Sequence, residues 1–344
     1  MSSFTVGLAV LGGLVLAALV AWNAWSTRKN LPRQPEATPG VEPTADALAP
    51  VSRIDPDFDP TMAGPLSPPE KKPALDALID VLTPIVLEAP VSGEAALAAF
   101  PPTRRAGSKP FAIEGLNEAT QQWEMPQPGQ RYGAFQAGVQ LANRTGPLNE
   151  IEYSEFVVKV QAFADAINGS PDFPDMLDEV ARARELDQFA SGHDAQLSFT
   201  LRAKNAAWSP GYVQQNASRL GFVAGAIPGR LVLPATASGS PPVLGLSFDT
   251  HAAMAEDPAQ TALRAVTLSL DVPQVDRSEQ PFVRMRDAAI ALAATMDGLI
   301  TDDNGQVIRA EALDVIGSDL EQLYDTLDAR DLAAGSPLAR RLFS

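Results

Sequence analysis

Chemistry in a protein starts from side chains that move protons, hold metals or attack carbonyls, and this 344-residue chain is poor in them. It has no cysteine and only two histidines, His193 and His251. Thiolate nucleophiles, iron–sulfur clusters, thiolate metal sites and disulfides are therefore excluded, and no His-rich centre can form. His193 stands beside Asp194 and near Ser191. A hydrolytic triad is defined by geometry and not by neighbourhood in sequence, so a surface histidine at a module boundary is expected. Asp302-Asp303-Asn304-Gly305 superficially has the look of a calcium loop. Its glycine falls at the wrong position for that loop, and a hairpin turn is expected instead. Asp172, Asp175, Asp178 and Glu179 read as solvated or first-turn acids, which the helix dipole favours. Neither GxxxxGK[ST] nor GxGxxG occurs, so no loop is built to cradle phosphate. The expectation is a protein with no catalytic residues, no metal and no cofactor, and so not an enzyme. A membrane-tethered hydrolase using carboxylates is the enzymatic alternative, and it would need a deep pocket with convergent acids.

Charge narrows the partners. The chain has 42 acidic and 26 basic residues, a net charge of −16. That disfavours nucleic acid, whose phosphates need clustered Lys and Arg. Apolar residues make up 45% and charged residues 20%, as in a globular chain.

The elements that would position a binding site begin with residues 1–29. Phe4 to Trp25 is an uncharged run long enough to cross a hydrocarbon layer of roughly 30 Å. A cleaved signal peptide is the rival reading. Nothing basic precedes the run and bulky Trp22 and Trp25 close it, so a retained single-pass membrane anchor is expected. Arg28, Lys29 and Arg33 follow it, which puts the N-terminus outside and the rest in the cytoplasm. Ala9, Gly13, Ala17 and Ala21 form a small-xxx-small face that offers self-association.

Residues 30–73 read as a disordered, proline-rich linker, with eleven prolines and few large apolar residues. Fully extended it would reach on the order of 135 Å, and as a flexible coil roughly 35 Å. Pro65 and Pro68 have PxxP spacing, but a plain spacer explains so biased a segment.

Two α/β modules follow. Over 191–331, alternation of Leu197, Phe199 and Leu201 with Ser198, Thr200 and Arg202 predicts a half-buried strand. Ser209-Pro210 starts a helix that Gly221 ends. Strands are predicted over 230–234, 243–249 and 266–272. Phe282 to Asp297 is predicted helical, 299–308 a hairpin, and Leu313 to Leu327 a last amphipathic helix. Over 74–190 the prediction is a strand at 85–89, a helix at 93–100, strands at 111–116 and 132–143, a weak one near Trp123, and helices over 149–167 and 174–190. Phe135–Ile167 parallels Val266–Asp297 at an offset of roughly 125–130 residues, a spacing well within one domain length. Either the module is duplicated or the halves are unrelated. The fold class is α+β, a mainly antiparallel sheet with helices on one face and the other partly open.

An anchor, a basic stop, a proline-rich linker and a C-terminal split β-α-β domain together resemble the bacterial cell-division family ZipA. The residues that carry the resemblance are Ala265-Val266-Thr267-Leu268 running to Asp271-Val272-Pro273, Leu220-Gly221-Phe222, the run from Phe222 to Leu246, and Asp302-Asp303-Asn304-Gly305 in the final hairpin. It covers about residues 195–330; residues 74–190 stand where better-known members have linker. The resemblance implies an adaptor that tethers the tubulin-like GTPase FtsZ to the inner membrane and stabilises its protofilaments. It implies that the C-terminal tail of FtsZ binds in a groove on the open sheet face. The positions it implies are Thr200, Ile227, Gly229, Ser247, Asp249, Thr267 and Ser269. Several are polar where the family is apolar or aromatic, so the groove is less apolar, displaced, or on the first module. A membrane-anchored scaffold for another division or envelope protein is the alternative. Residues 332–344 read as a flexible tail, in which Arg340 to Phe343 either frays or docks elsewhere.

Overall fold

The computed structural model describes residues 32–35, 75–237, 239–255 and 261–344. The apolar run 4–25, with its small-residue face, and most of the linker lie outside the described residues. Among the described residues no helix is long and apolar enough to cross a membrane. Helix and antiparallel sheet are mixed, as an α+β fold requires. The chain divides into two compact units: Lys71–Ala195 with Val272–Arg277 and Asp319–Ser344, and Gln196–Asp271 with Ser278–Ser318, to which residues 32–35 belong.

In the first unit the elements are β1 (Asp80–Ser92), α1 (Gly93–Ala99), β2 (Arg105–Ala106), β3 (Lys109–Asn117), β4 (Trp123–Glu124), β5 (Arg131–Gln140), β6 (Ala142–Asn143), β7 (Gly146–Pro147), α2 (Glu150–Ala166), β8 (Gly169–Pro171) and α3 (Met176–His193). The sheet runs β2-β3-β5-β1-β8, with β4 on β3. Helix α2 starts where Asn149 accepts from the Ile151 and Glu152 amides while Glu152 returns to the Asn149 amide, a capping box. Its stripe of Tyr153, Phe156, Val160 and Phe163 is buried against one sheet face. Phe163 meets Phe135 edge-on at 5.4 Å and Phe156 meets Phe111 at 6.1 Å. Such pairs each contribute about 0.5–1.5 kcal/mol beyond burial. The predicted strand at 85–89 is longer than expected. Asp80 and Thr83 are buried polar residues that hid its beginning from a hydrophobic pattern.

In the second unit the elements are β9 (Gln196–Ala203), α4 (Pro210–Ser218), β10 (Val223–Ala224), β11 (Arg230–Leu233), β12 (Leu244–Ser247), α5 (Thr250–Ala253), β13 (Ala265–Asp271), α6 (Pro281–Met296) and β14 (Gly298–Thr301). The helix α7 (Ala310–Asp328) follows; its residues to Ser318 belong to this unit and those from Asp319 to the first. The sheet order is β10-β11-β12-β13-β9-β14. Ser209 caps α4 by accepting from the Tyr212 amide, with Pro210 at its first position. Strand β13 buries Val266, Leu268 and Leu270, and Phe199 of β9 meets Phe282 of α6 at 6.5 Å. The indole of the fully buried Trp208 donates to the Met296 carbonyl at 2.8 Å.

Residues 32–35 correct the linker boundary. The Arg33 amide donates to Ala207 O at 2.7 Å, and the Ser209 amide donates to Arg33 O at 2.9 Å. The Arg33 guanidinium reaches Asp297 Oδ2 at 3.0 Å. The stretch read as a free spacer over 30–73 is therefore bound to the second unit here. Proline content concealed this, because one bridge either side of Trp208 needs no hydrophobic pattern.

The tail also differs from expectation. It forms α8 (Pro337–Leu342), capped by Ser336, within the first unit. Leu332, Leu342 and Phe343 are buried. Arg341 pairs with the buried Asp80, and Gln140 donates to Arg341 O at 2.7 Å. Neither fraying nor docking on another molecule describes a segment whose apolar side chains are already inside.

The two sheets share a succession. In each, the first strand (β1, β9) lies between the last long strand (β5, β13) and a short edge strand (β8, β14). In each, a long helix (α2, α6) joins those last two and ends on a left-handed residue followed by glycine. These are Asn168-Gly169, with φ 53° at Asn168, and Asp297-Gly298, with φ 55° at Asp297. Counting back from there, Tyr153, Phe156, Val160, Phe163 and Ile167 match Phe282, Met285, Ala289, Leu292 and Met296, all buried. Strand β8 holds in the first unit the edge position that β14, the first strand of the hairpin predicted over 299–308, holds in the second.

Candidate partner-binding face

The second unit buries one sheet face under its helices, so the opposite face is the one open to a partner. Antiparallel pairing sets side chains of directly opposed residues side by side. Register puts Arg230, Ser247, Thr267, Thr200 and Thr301 in one row. The next row is Val223, Val232, Gly245, Ser269 and Ser198. Thr200, Ser247, Thr267 and Ser269 are half-buried and together form a floor of hydroxyls. Ser269 Oγ donates to Gly245 O at 3.3 Å, and Ser198 Oγ to Asp303 Oδ1 at 2.7 Å.

Four of the seven expected site residues thus come together, and three do not. Ile227 lies in the loop before β11 and is 54% exposed. Gly229 has φ 78°, and a Cβ there would come within 2.8 Å of Phe248 O, so its glycine is required by the turn and by close packing. The Asp249 carboxylate caps α5 by accepting from the His251 amide at 2.9 Å. These last two are accounted for by local structure, a role that strand alignment alone does not separate from binding.

Two features were missed. Arg230 and Arg202 are exposed cations flanking the hydroxyl floor, and neither side chain has a hydrogen-bond or ion-pair partner among the described residues. A depression of about 880 Å³ also lies at the sheet edge, between the hairpin and the start of α7, lined by Val307, Ile308, Ala312 and Ile316 with Asp302 and Arg309. The aliphatic pair on the hairpin's outer strand was its one signal in the sequence.

The remaining chemistry-bearing residues have structural partners. His193 Nδ1 lies 2.7 Å from Phe189 O, and its ring stacks on Phe189 at 4.3 Å. Asp194 takes a paired contact from Arg144, at 2.8 and 2.6 Å. Both are occupied elsewhere than in a triad with Ser191. Asp302 to Gly305 form the expected hairpin turn, with the Asp302 amide donating to Gln306 O.

The second unit is thus an α+β unit with one sheet face covered by helices and the other open and half-buried. Comparison with known families gives that class a content. The family model of the ZipA C-terminal FtsZ-binding domain matches residues 252–318, from α5 through β13, α6 and β14 into α7. The resemblance read from the sequence over about 195–330 is thereby borne out for residues 252–318, which are similar to a domain described as FtsZ-binding. No curated protein matches the chain.

Proposed function

We propose that this chain is a cell-division membrane adaptor that binds the C-terminal tail of FtsZ, tethers the FtsZ ring to the inner membrane and stabilises its protofilaments. The observation that carries the reading is the family match over the segment that supplies β13, the strand at the centre of the open face. The uncharged run at 4–25 and the cations behind it support a single-pass anchor with the N-terminus periplasmic and both units cytoplasmic. Arg33 follows Trp25 by eight residues. At no more than ~3.5 Å per residue, that leash holds the second unit within about 28 Å of the membrane exit. Confinement of this kind raises the local concentration of a partner site without any new contact.

The polar floor favours one other reading, a scaffold for a different division or envelope protein, because hydroxyls do not supply apolar anchors. The test is titration of a fluorescent FtsZ tail peptide into the full-length protein in lipid nanodiscs. Micromolar binding weakened about tenfold by Thr267→Glu or Arg230→Glu supports the adaptor, a change of about 1.4 kcal/mol. No binding to the folded protein removes FtsZ as the partner and leaves the scaffold.

A further inference from the structure

The open face of the first unit carries an apolar row across four strands, whereas in the second Val223 and Val232 flank a centre of hydroxyls. Its register sets Val86, Ala134, Leu116 and Trp123 in one continuous row across β1, β5, β3 and β4. Their direction is opposite to Phe135 and Phe111, which meet α2, so the row lies on the side of the sheet away from α2. Val86 is 66% exposed and Trp123 is 41% exposed.

The same face holds a peptide segment at its other end. A Cβ on Gly138 would come within 2.6 Å of Leu75 Cδ2, so the absence of a side chain at Gly138 makes room for that leucine. The Leu75 amide donates to Glu114 Oε1 at 3.1 Å, and Gln136 steadies the other carboxylate oxygen at 2.9 Å. The face thus holds residue 75 of its own chain by an aliphatic side chain in a notch and a backbone N–H on a carboxylate. Beside that seat, the row is exposed at its two ends, Val86 and Trp123, and half-buried at Ala134 and Leu116.

We infer that this face is a second binding surface for the FtsZ tail, gripped by aliphatic or aromatic anchors laid across Val86, Leu116 and Trp123. The inference rests on the FtsZ reading above and extends it to a unit outside the family match. The occupant follows from two observations. The unit repeats the strand succession of the matched unit, and the exposed tryptophan at the end of its row is the side chain that most often dominates a peptide interface. The protein would then carry two sites of different character on one chain.

The experiment is calorimetric titration of the full-length protein in nanodiscs with FtsZ tail peptide, read as stoichiometry. The expected result is two peptides per chain. Val86→Glu or Trp123→Ala should weaken one class of site by about tenfold or more, and Thr267→Glu the other. Val86 is mostly exposed, so the thermal melt should be unchanged in Val86→Glu, which serves as the control for the less exposed Trp123. One peptide per chain, lost only with Val86→Glu or Trp123→Ala, supports the inference and moves binding off the second unit. One peptide that is lost with Thr267→Glu and indifferent to both first-unit variants overturns the inference while leaving the adaptor reading intact. No peptide bound overturns both.

Discussion

The ion pair that fastens the C-terminal helix gives the sharpest stability prediction. Asp80 is fully buried at the start of β1, and the Arg341 side chain is 19% exposed. Arg341 Nη1 donates to Asp80 Oδ2 at 3.0 Å, its second nitrogen donates to Oδ1, and the Asp76 amide donates to Oδ2 at 2.9 Å. Burial raises the Asp80 pKa above its ordinary value, against the opposing pull of the Arg341 hydrogen bonds and charge and the Asp76 amide. Arg341→Met removes the largest opposing contributions and leaves the burial. An uncompensated buried charge costs roughly 3–5 kcal/mol, and partial access of water to Arg341 argues for the lower end. The sign with pH follows from the direction of the shift. A carboxylate whose folded pKa is raised contributes stability that is fully present below its unfolded pKa, about 3.9, and is lost as pH rises through the folded value. In Arg341→Met that folded value climbs further, so the deficit should be large at neutral pH and shrink on acidification. Because the chain has two units, a single unfolding free energy is not defined. The assay is therefore hydrogen exchange of the β1 and β5 amides at pH 7.5 and 5.0, corrected for intrinsic rates. Adding Asp80→Asn should return a large part of the protection lost at neutral pH. A deficit under about 1 kcal/mol at neutral pH, or one that grows on acidification, would refute the buried-pair argument.

Three further outcomes are expected. Gly335 has φ 77°, and a Cβ there would collide with the Asp276 backbone, so Gly335→Ala should destabilise the first unit by about 1–3 kcal/mol in a melting experiment. Trp208→Phe removes one ring of a fully buried indole and leaves the Met296 carbonyl with only the longer Arg33 guanidinium contact at 3.3 Å. It should cost about 1–3 kcal/mol, and faster exchange at the Arg33 and Ser209 amides should accompany it. Arg33→Glu replaces a half-exposed attraction to Asp297 with repulsion, worth about 1 kcal/mol, so its readout is local exchange at 32–35 and not the global melt. Unchanged exchange there would mean that the backbone bridge alone holds the segment.

Legibility followed periodicity. Strand β13 and helix α6 announce themselves because each alternates or repeats apolar residues over its whole length, and both are found as expected. The open face was legible for the same reason: Thr267 and Ser269 alternate with buried Val266, Leu268 and Leu270. Elements held by polar burial were not. The beginning of β1 hides behind Asp80 and Thr83, and α8 hides because its Arg341 has a buried partner more than two hundred and fifty residues away in sequence. Gly229 and Asp249 show the opposite failure. Alignment by strand placed them near the face, while the turn and the cap to which they belong are backbone features that no side-chain pattern reveals.

The repeat explains how one architecture comes to present two different faces. The buried side of each sheet is held to one solution, since Phe163 and Leu292, or Phe156 and Met285, must fill the same space above the strands. The open side carries no such packing constraint and is free to diverge. In the first unit Gly138, Glu114 and the row ending at Trp123 make a surface that takes apolar side chains, and Leu75 already uses one end of it. In the second, hydroxyls and two arginines with no side-chain partner among the described residues make a surface suited to polar and acidic ones. A partner segment bearing both kinds of residue would be distinguished from one bearing either alone. Two modest sites on one chain also multiply in effect, because occupation of the first makes the second encounter intramolecular. On the proposed two-site reading, strong attachment would require neither face to be a tight binder by itself, which would reconcile a polar floor on the second unit with a match to an FtsZ-binding domain over residues 252–318.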